Sequence, residues 1–237
     1  AHGQASWADW AAPLRMRERD ALDKARSQWA RETEAVKFGQ FPFFSQWAAV
    51  KAHANERGVR VIGDIPIFVA YDSADVWCNQ GLFKLDDDGR PTVVAGVPPD
   101  FFSETGQLWG NPIYDWRAML ADDLGWWTAR VAWTLRSVDV ARLDHFIGFV
   151  RNWEVPGGDV TAENGEWRDV PAREIFAVLK RRLGELPLIA EDLGSLTPEV
   201  EALRDECGFP GMRILQYAFG GDAQNRDLPH NYGAESV

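Results

Sequence analysis

The sequence predicts an α/β fold built on a parallel sheet, and three observations carry that expectation. Two short apolar runs, Val138 to Asp144 and Leu186 to Glu191, each end in carboxylates. Between them, residues 171–184 place Ile175, Phe176, Leu179 and Leu183 at helical spacing. Strand, helix and strand in succession read as a βαβ crossover, which sets the two strands parallel. A third run, Val59 to Val69, is β-branched and has the composition of another buried strand.

The elements follow in chain order. Residues from about Trp10 to Lys37 are charged, with sparse apolar positions at Leu14, Ala21, Ala25, Trp29 and Ala35, and predict a helical start. A second helix is expected over Phe43 to Arg57, stopped by Gly58 as its C-cap. The strand beginning at Val59 ends near Pro66, which has no N–H for a central ladder. From Ala70 to Trp116 no period is sustained. Leu82 to Val94 reads as a small hairpin around Asp88-Gly89. The aromatic, glycine-bearing stretch Pro98 to Pro112 reads as a long loop that covers a substrate, or as one packed on itself. A helix over Asp122 to Arg136 puts Leu124, Trp127, Val131 and Leu135 on one face. Val150 to Val170 is a glycine-rich insertion carrying tryptophans. Thr197-Pro198 starts a helix that ends near Gly208, and a last strand is expected over Met212 to Phe219. The tail from Gly220 reads as polar loop.

Four parallel-strand candidates, near 59–65, 138–144, 187–191 and 212–218, fit either a small doubly wound sheet or half of an eight-stranded barrel. No closing element follows the last of them. The expectation is therefore a single domain over 1–237 that is a fragment of a larger one.

The chemistry concentrates at two strand ends. Side chains alternate along a strand, so Arg142 and Asp144 share one face, with Leu143 and His145 on the other. An arginine beside an aspartate favours its ionised form. An anionic carboxylate at the C-terminal end of a parallel strand can serve as a nucleophile; it can equally be half of a structural ion pair. Glu191 emerges at the same sheet edge. Two carboxylates on one cleft are the equipment of glycoside chemistry, although Glu191 alone also fits a helix-capping role.

Bulk properties narrow the field. The 237 residues carry a net charge of −11, which disfavours nucleic acid and anionic membrane surfaces as partners. The two cysteines, Cys78 and Cys207, lack metal or redox spacing and read as free thiols of a reducing compartment, hence cytoplasmic. No apolar run reaches transmembrane length, and the first residues do not form a signal peptide. No metal-ligand cluster or cofactor motif stands out. Of twelve tryptophans, Trp77, Trp109, Trp116, Trp153 and Trp167 sit in polar, glycine-rich stretches. Flat rings edged by hydrogen-bonding groups suit sugars, and also suit a protein interface.

Five stretches together resemble one family. They are Gly63 to Val69 with Asp72 to Trp77; Gly96 to Phe102; Gly106 to Pro112; Arg142 to Phe146; and Ala190 to Gly194, with Phe209 to Met212 as a further fit. In this order they resemble the 4-α-glucanotransferases, also called amylomaltases or disproportionating enzymes, of glycoside hydrolase family 77. The resemblance implies a partial (β/α)8 TIM barrel with long inserted loops. It implies transfer of an α-1,4-glucan segment to another glucan's 4-hydroxyl without metal or cofactor, with maltooligosaccharides and α-1,4-glucans as substrates. An α-amylase-type hydrolase and a non-catalytic glucan-binding fragment are the alternatives. A cytoplasmic site is implied, or a plastid in a plant. Asp144 matches the nucleophile, Glu191 the general acid/base and Arg142 the residue that fixes the nucleophile's charge. Asp64, His145 and Asp192 match residues that line or support the donor site. Asp100, Phe101, Gln107, Trp109 and Asn111 match the loop over the acceptor side. Ile147 stands where the family motif carries arginine. The family's third carboxylate lies beyond the region matched by Leu228 to Tyr232.

Overall fold

A computed structural model describes residues 5–101, 103–194, 196–233 and 236–237 of the chain. Phe102, part of one family motif, and Ala234 and Glu235 of the tail lie outside the described residues. In chain order the elements are α1 (Ala12–Arg15), α2 (Arg19–Gln28), α3 (Ala30–Asn55), β1 (Ile62–Ile65), α4 (Ala74–Cys78), β2 (Val93–Val97), β3 (Gln107–Pro112), α5 (Trp116–Ala121), α6 (Gly125–Ser137), β4 (Val140–Leu143), β5 (Arg151–Pro156), β6 (Glu166–Asp169), α7 (Ala172–Leu183), β7 (Leu188–Ala190) and α8 (Pro198–Cys207). They form two compact units. Ala1–Val59, Phe68–Met119 and Trp153–Glu166 make the first; Arg60–Ile67, Leu120–Asn152 and Trp167–Val237 make the second.

In the first unit the first expected helix is divided into α1, α2 and the start of α3, and α3 runs on to take in the second. α3 runs unbroken through Pro42, which removes one intrahelical hydrogen bond and crowds the preceding turn. The alanine-rich half that follows supplies strong helix formers, so Gly39 and Pro42 do not punctuate the chain as they do in isolation. The stretch without a sustained period holds the expected turn, with Leu85 bridged antiparallel to Pro91 and Gly89 at φ 77°, and also α4, capped by the Ser73 hydroxyl accepting from Val76 N–H at 3.3 Å. It also holds β2 and β3, an antiparallel pair whose register shifts between Val94 and Gly96. That irregularity breaks the alternation by which the sequence would have revealed the strands. Gln107, Trp109 and Asn111 therefore stand on a strand, not in a loop. The insertion at 150–170 likewise contributes β5, antiparallel to β2. Trp116, read as a ligand-facing ring, is buried with its ring centroid 5.0 Å from that of Tyr114.

The second unit contains the expected parallel strands, in the order β1-β4-β7. Helices α6 and α7 bury Trp127, Val131, Ile175, Phe176 and Leu179. Phe149 and Phe176 lie 5.2 Å apart and Phe176 and Phe209 5.4 Å, both within a buried aromatic cluster. Each such ring contributes roughly 1.5–3 kcal/mol by leaving water. Gly63 lets β1 sit close to the start of β4: a Cβ there would lie 2.6 Å from Val138 Cγ1.

The fourth parallel strand does not form. Gly211 makes a single parallel bridge to Ala190, and residues 215–219 are a 3-10 helix. The N–H groups of Met212 and Ile214 donate instead to the carboxylates of Asp192, at 2.7 Å, and Asp227, at 3.0 Å. Side chains have taken the donors that a ladder would use.

Candidate active site

Parallel register sets Asp64 of β1 beside Arg142 of β4. The Arg142 guanidinium grips Asp64 with both prongs, Nε to Oδ1 at 2.7 Å and Nη2 to Oδ2 at 3.1 Å. Nη2 also lies 2.9 Å from Asp144 Oδ1. One cation thus links carboxylates from two strands, in the planar fork geometry that lysine cannot reproduce.

The ladder continues just past the strand ends. Asp144 N–H donates to Ile65 O at 3.1 Å and Glu191 N–H to Leu143 O at 3.0 Å. Both carboxylates therefore stand on ordered backbone. His145 then takes a left-handed conformation, φ 53°, which turns the chain. Its N–H donates to Glu191 Oε2 at 2.8 Å, and Phe146 N–H donates to the Glu191 carbonyl at 3.1 Å. Non-glycine residues adopt this backbone uncommonly, and functional sites are where it concentrates.

Burial raises the pKa of both carboxyls. For Glu191 it outweighs the backbone donors of His145 and Leu193 and the nearby Arg142, while the charge of Asp144 pushes the same way as burial. That is the direction expected of an acid. Asp144 corrects an expectation. Its carboxyl also lies above its ordinary value, because burial outweighs Arg142 and the anionic Asp64 adds to the rise. Arg142 shares its donors with Asp64, so its charge is not Asp144's alone. Burial drives the His145 imidazole down to about 4, which keeps the ring neutral near pH 7.

Asp64, Arg142, Asp144, His145 and Glu191 are brought together in this way. Asp192 is not among them. Its side chain is 0% exposed and accepts from Arg204 Nη1 at 2.5 Å, Arg226 Nη2 at 2.9 Å and Met212 N–H. Of the two roles expected of it, lining and support, only support is open to a carboxylate so enclosed. Sequence reasoning paired Arg142 with Asp144 and missed its bidentate hold on Asp64, which only strand register reveals. It also missed Arg204 and Arg226, whose sequence distance from Asp192 leaves no signal.

The other five expected residues belong to the first unit. Asp100 Oδ1 accepts from Ser103 N–H at 2.8 Å and closes a turn. Phe101 is 97% exposed. Trp109 Nε1–H donates to Gln107 Oε1 at 3.1 Å, and Asn111 Nδ2 donates to Val69 O at 2.9 Å. Among the described residues, no group of three or more His, Cys, Asp or Glu side chains is arranged to hold a metal ion, and no helix is long and apolar enough to cross a membrane.

Comparison with known proteins gives one consistent result. The sequence model of the 4-alpha-glucanotransferase family, glycoside hydrolase 77, matches residues 1–237. A 4-alpha-glucanotransferase of Thermus thermophilus is 50% identical over 234 residues, covering 99% of this chain and 47% of the relative. A chloroplastic/amyloplastic 4-alpha-glucanotransferase of Arabidopsis thaliana is 44% identical, covering 98% of this chain and 40% of its own length. Among solved structures, the amylomaltase from Streptococcus agalactiae in complex with acarbose superposes with a TM-score of 0.94 at 41% identity, over 99% of this chain and 48% of that one. The chain spans about half the length of the curated relatives it matches.

Proposed function

Because the chain belongs to glycoside hydrolase family 77, the 4-alpha-glucanotransferases, over residues 1–237, we propose that the protein carrying it cleaves an α-1,4-glucan and passes the released segment to the 4-hydroxyl of an acceptor glucan or glucose. One observation carries this reading. Asp144 and Glu191 leave adjacent parallel strands at the same edge, and Glu191 is held by the N–H of the residue after Asp144.

The chemistry is a retaining double displacement. Asp144 attacks the anomeric carbon and forms a covalent glycosyl ester, while the Glu191 carboxylic acid gives its proton to the departing glycosidic oxygen. The acceptor hydroxyl then gives its proton to Glu191 and displaces Asp144. Burial shifts Glu191 toward its protonated form, the direction an acid needs. Arg142, 2.9 Å from Asp144, favours the nucleophile's anion against that same desolvation. Asp64 in turn fixes the guanidinium.

The parallel sheet is assigned to a (β/α)8 barrel interrupted by long insertions. Asp100, Phe101, Gln107, Trp109 and Asn111 are assigned to the acceptor sugar by their family motifs. The substrates are maltooligosaccharides and α-1,4-glucans, and the setting is the cytoplasm, or a plastid in a plant.

Maltotriose tests the reading. The complete polypeptide that carries this chain should convert it into glucose and a ladder of longer chains. Hydrolysis products alone, with nothing longer than the substrate, would replace transfer with an amylase-type reaction. Unchanged activity in Asp144→Asn or Glu191→Gln would reduce this chain to a binding module.

A further inference from the structure

We infer that Asp192 is a positioning residue of the glucan site: one buried carboxylate pins both ends of the loop 212–226 and sets that loop at the edge where Glu191 emerges. The inference rests on the glucanotransferase reading for the identity of the ligand.

The pin is visible at each end of the loop. Asp192 Oδ1 accepts the N–H of Met212, its first residue, at 2.7 Å. Asp192 Oδ2 accepts from Nη2 of Arg226, its last, at 2.9 Å. Arg204 of α8 completes the cage at 2.5 Å, and Arg213 Nη1 stands 3.6 Å away. Gly211 has no alternative, because a Cβ there would lie 2.6 Å from Asp192 Oδ2. Just past the loop Asp227 accepts from Ile214 N–H, and inside it Asn225 Nδ2 donates to the carbonyls of Tyr217 and Gly220, both at 2.9 Å.

Position follows from the bridge. Gly211 pairs in parallel with Ala190, so Met212 comes level with Glu191 and the chain runs on past the edge that carries the two carboxylates. The loop is closed and tied, yet it presents apolar side chains outward. Leu215 is 48%, Tyr217 61% and Phe219 81% exposed. Flat apolar rings held at a carboxylate edge suit the apolar faces of a sugar chain. A loop anchored in advance loses less conformational freedom when it meets one.

Asp192→Asn is the direct variant, but it leaves buried guanidiniums uncompensated and endangers the fold. Arg226 is the better lever, being 36% exposed. Its removal cuts the tie from Asp192 to the far end of the loop and leaves Asp192 with Arg204, Arg213 and Met212. The test uses the complete polypeptide in a Glu191→Gln background, so that maltoheptaose is bound and not turned over. Arg226→Gln should weaken the maltoheptaose Kd about five- to tenfold, with Arg226→Lys recovering most of it and the melting temperature little changed. An unchanged Kd overturns the inference while the maltotriose ladder still stands or falls on its own. Weakening that follows a matching loss of melting temperature, without rescue by lysine, also overturns it, since the pin is then merely structural.

Discussion

Glu191 and Asp144 are both carboxyls pushed up by burial, so the company each keeps distinguishes them. Asp144 has a guanidinium at 2.9 Å; Glu191 has backbone N–H groups and the charge of Asp144. Glu191→Gln should lower transfer from maltotriose by about a thousandfold, within the usual span of acid–base catalysis. The first-turnover burst of fluoride from an α-glucosyl fluoride, whose leaving group needs no proton, should suffer far less. Asp144→Asn should lose both. Equal losses on both substrates in Glu191→Gln would deny it the acid's role. His145 adds a pH effect. The unfolded imidazole takes up its proton near its ordinary value of 6.5 and the folded one at about 4. A base whose folded pKa is depressed gives up stability as pH falls through that interval, here up to about 3 kcal/mol. Denaturant midpoints at about pH 7 and about pH 4.5 should converge in His145→Gln relative to the parent; parallel losses in the two proteins would contradict it. Asp144 and Glu191 were legible because each closes a short apolar run. The hold of Arg142 on Asp64 was not, because residues that register makes neighbours are remote in sequence.

Among the elements, the parallel sheet was read best. Its strands are short and β-branched and bounded by Pro66, Gly63 packing and helical spacers. Close packing makes Gly63→Ala a sharp test. The added Cβ would meet Val138 at 2.6 Å, and overpacking of this kind costs about 1–3 kcal/mol. A melting temperature at or above the parent's would show that β1 and β4 are not held that tightly. The misread elements share a cause. Residues 212–219 have a strand's composition, but the carboxylates of Asp192 and Asp227 claim the backbone donors. Residues 93–97 and 107–112 are strands whose shifted register hides their alternation. In both cases a contact distant in sequence overrode local pattern. The α3 helix shows the reverse: local alanines carried the chain through a proline that reads as a stop.

At the scale of the whole chain, α3 exposes several large apolar side chains, among them Phe38 and Phe41, one turn apart and each 73% exposed. Exposed apolar surface of this kind promotes association. The chain of 1–237 should therefore self-associate with rising concentration, and Phe38→Lys with Phe41→Lys should reduce it. Light scattering that finds the unaltered chain monodisperse at all concentrations would contradict this. The family was legible as a whole because its motifs recur in order. What motif order could not convey was the buried polar framework behind them, in which Asp192 gathers arginines from three places in the chain. A retaining transfer through Asp144 passes through a covalent glycosyl intermediate, which can be trapped. The complete polypeptide is incubated with 5-fluoro-α-glucosyl fluoride, digested and read by mass spectrometry. One glycosyl adduct is expected, on the peptide containing Asp144 and absent in Asp144→Asn. An adduct on a different carboxylate, or turnover with inversion and no adduct at all, would contradict it.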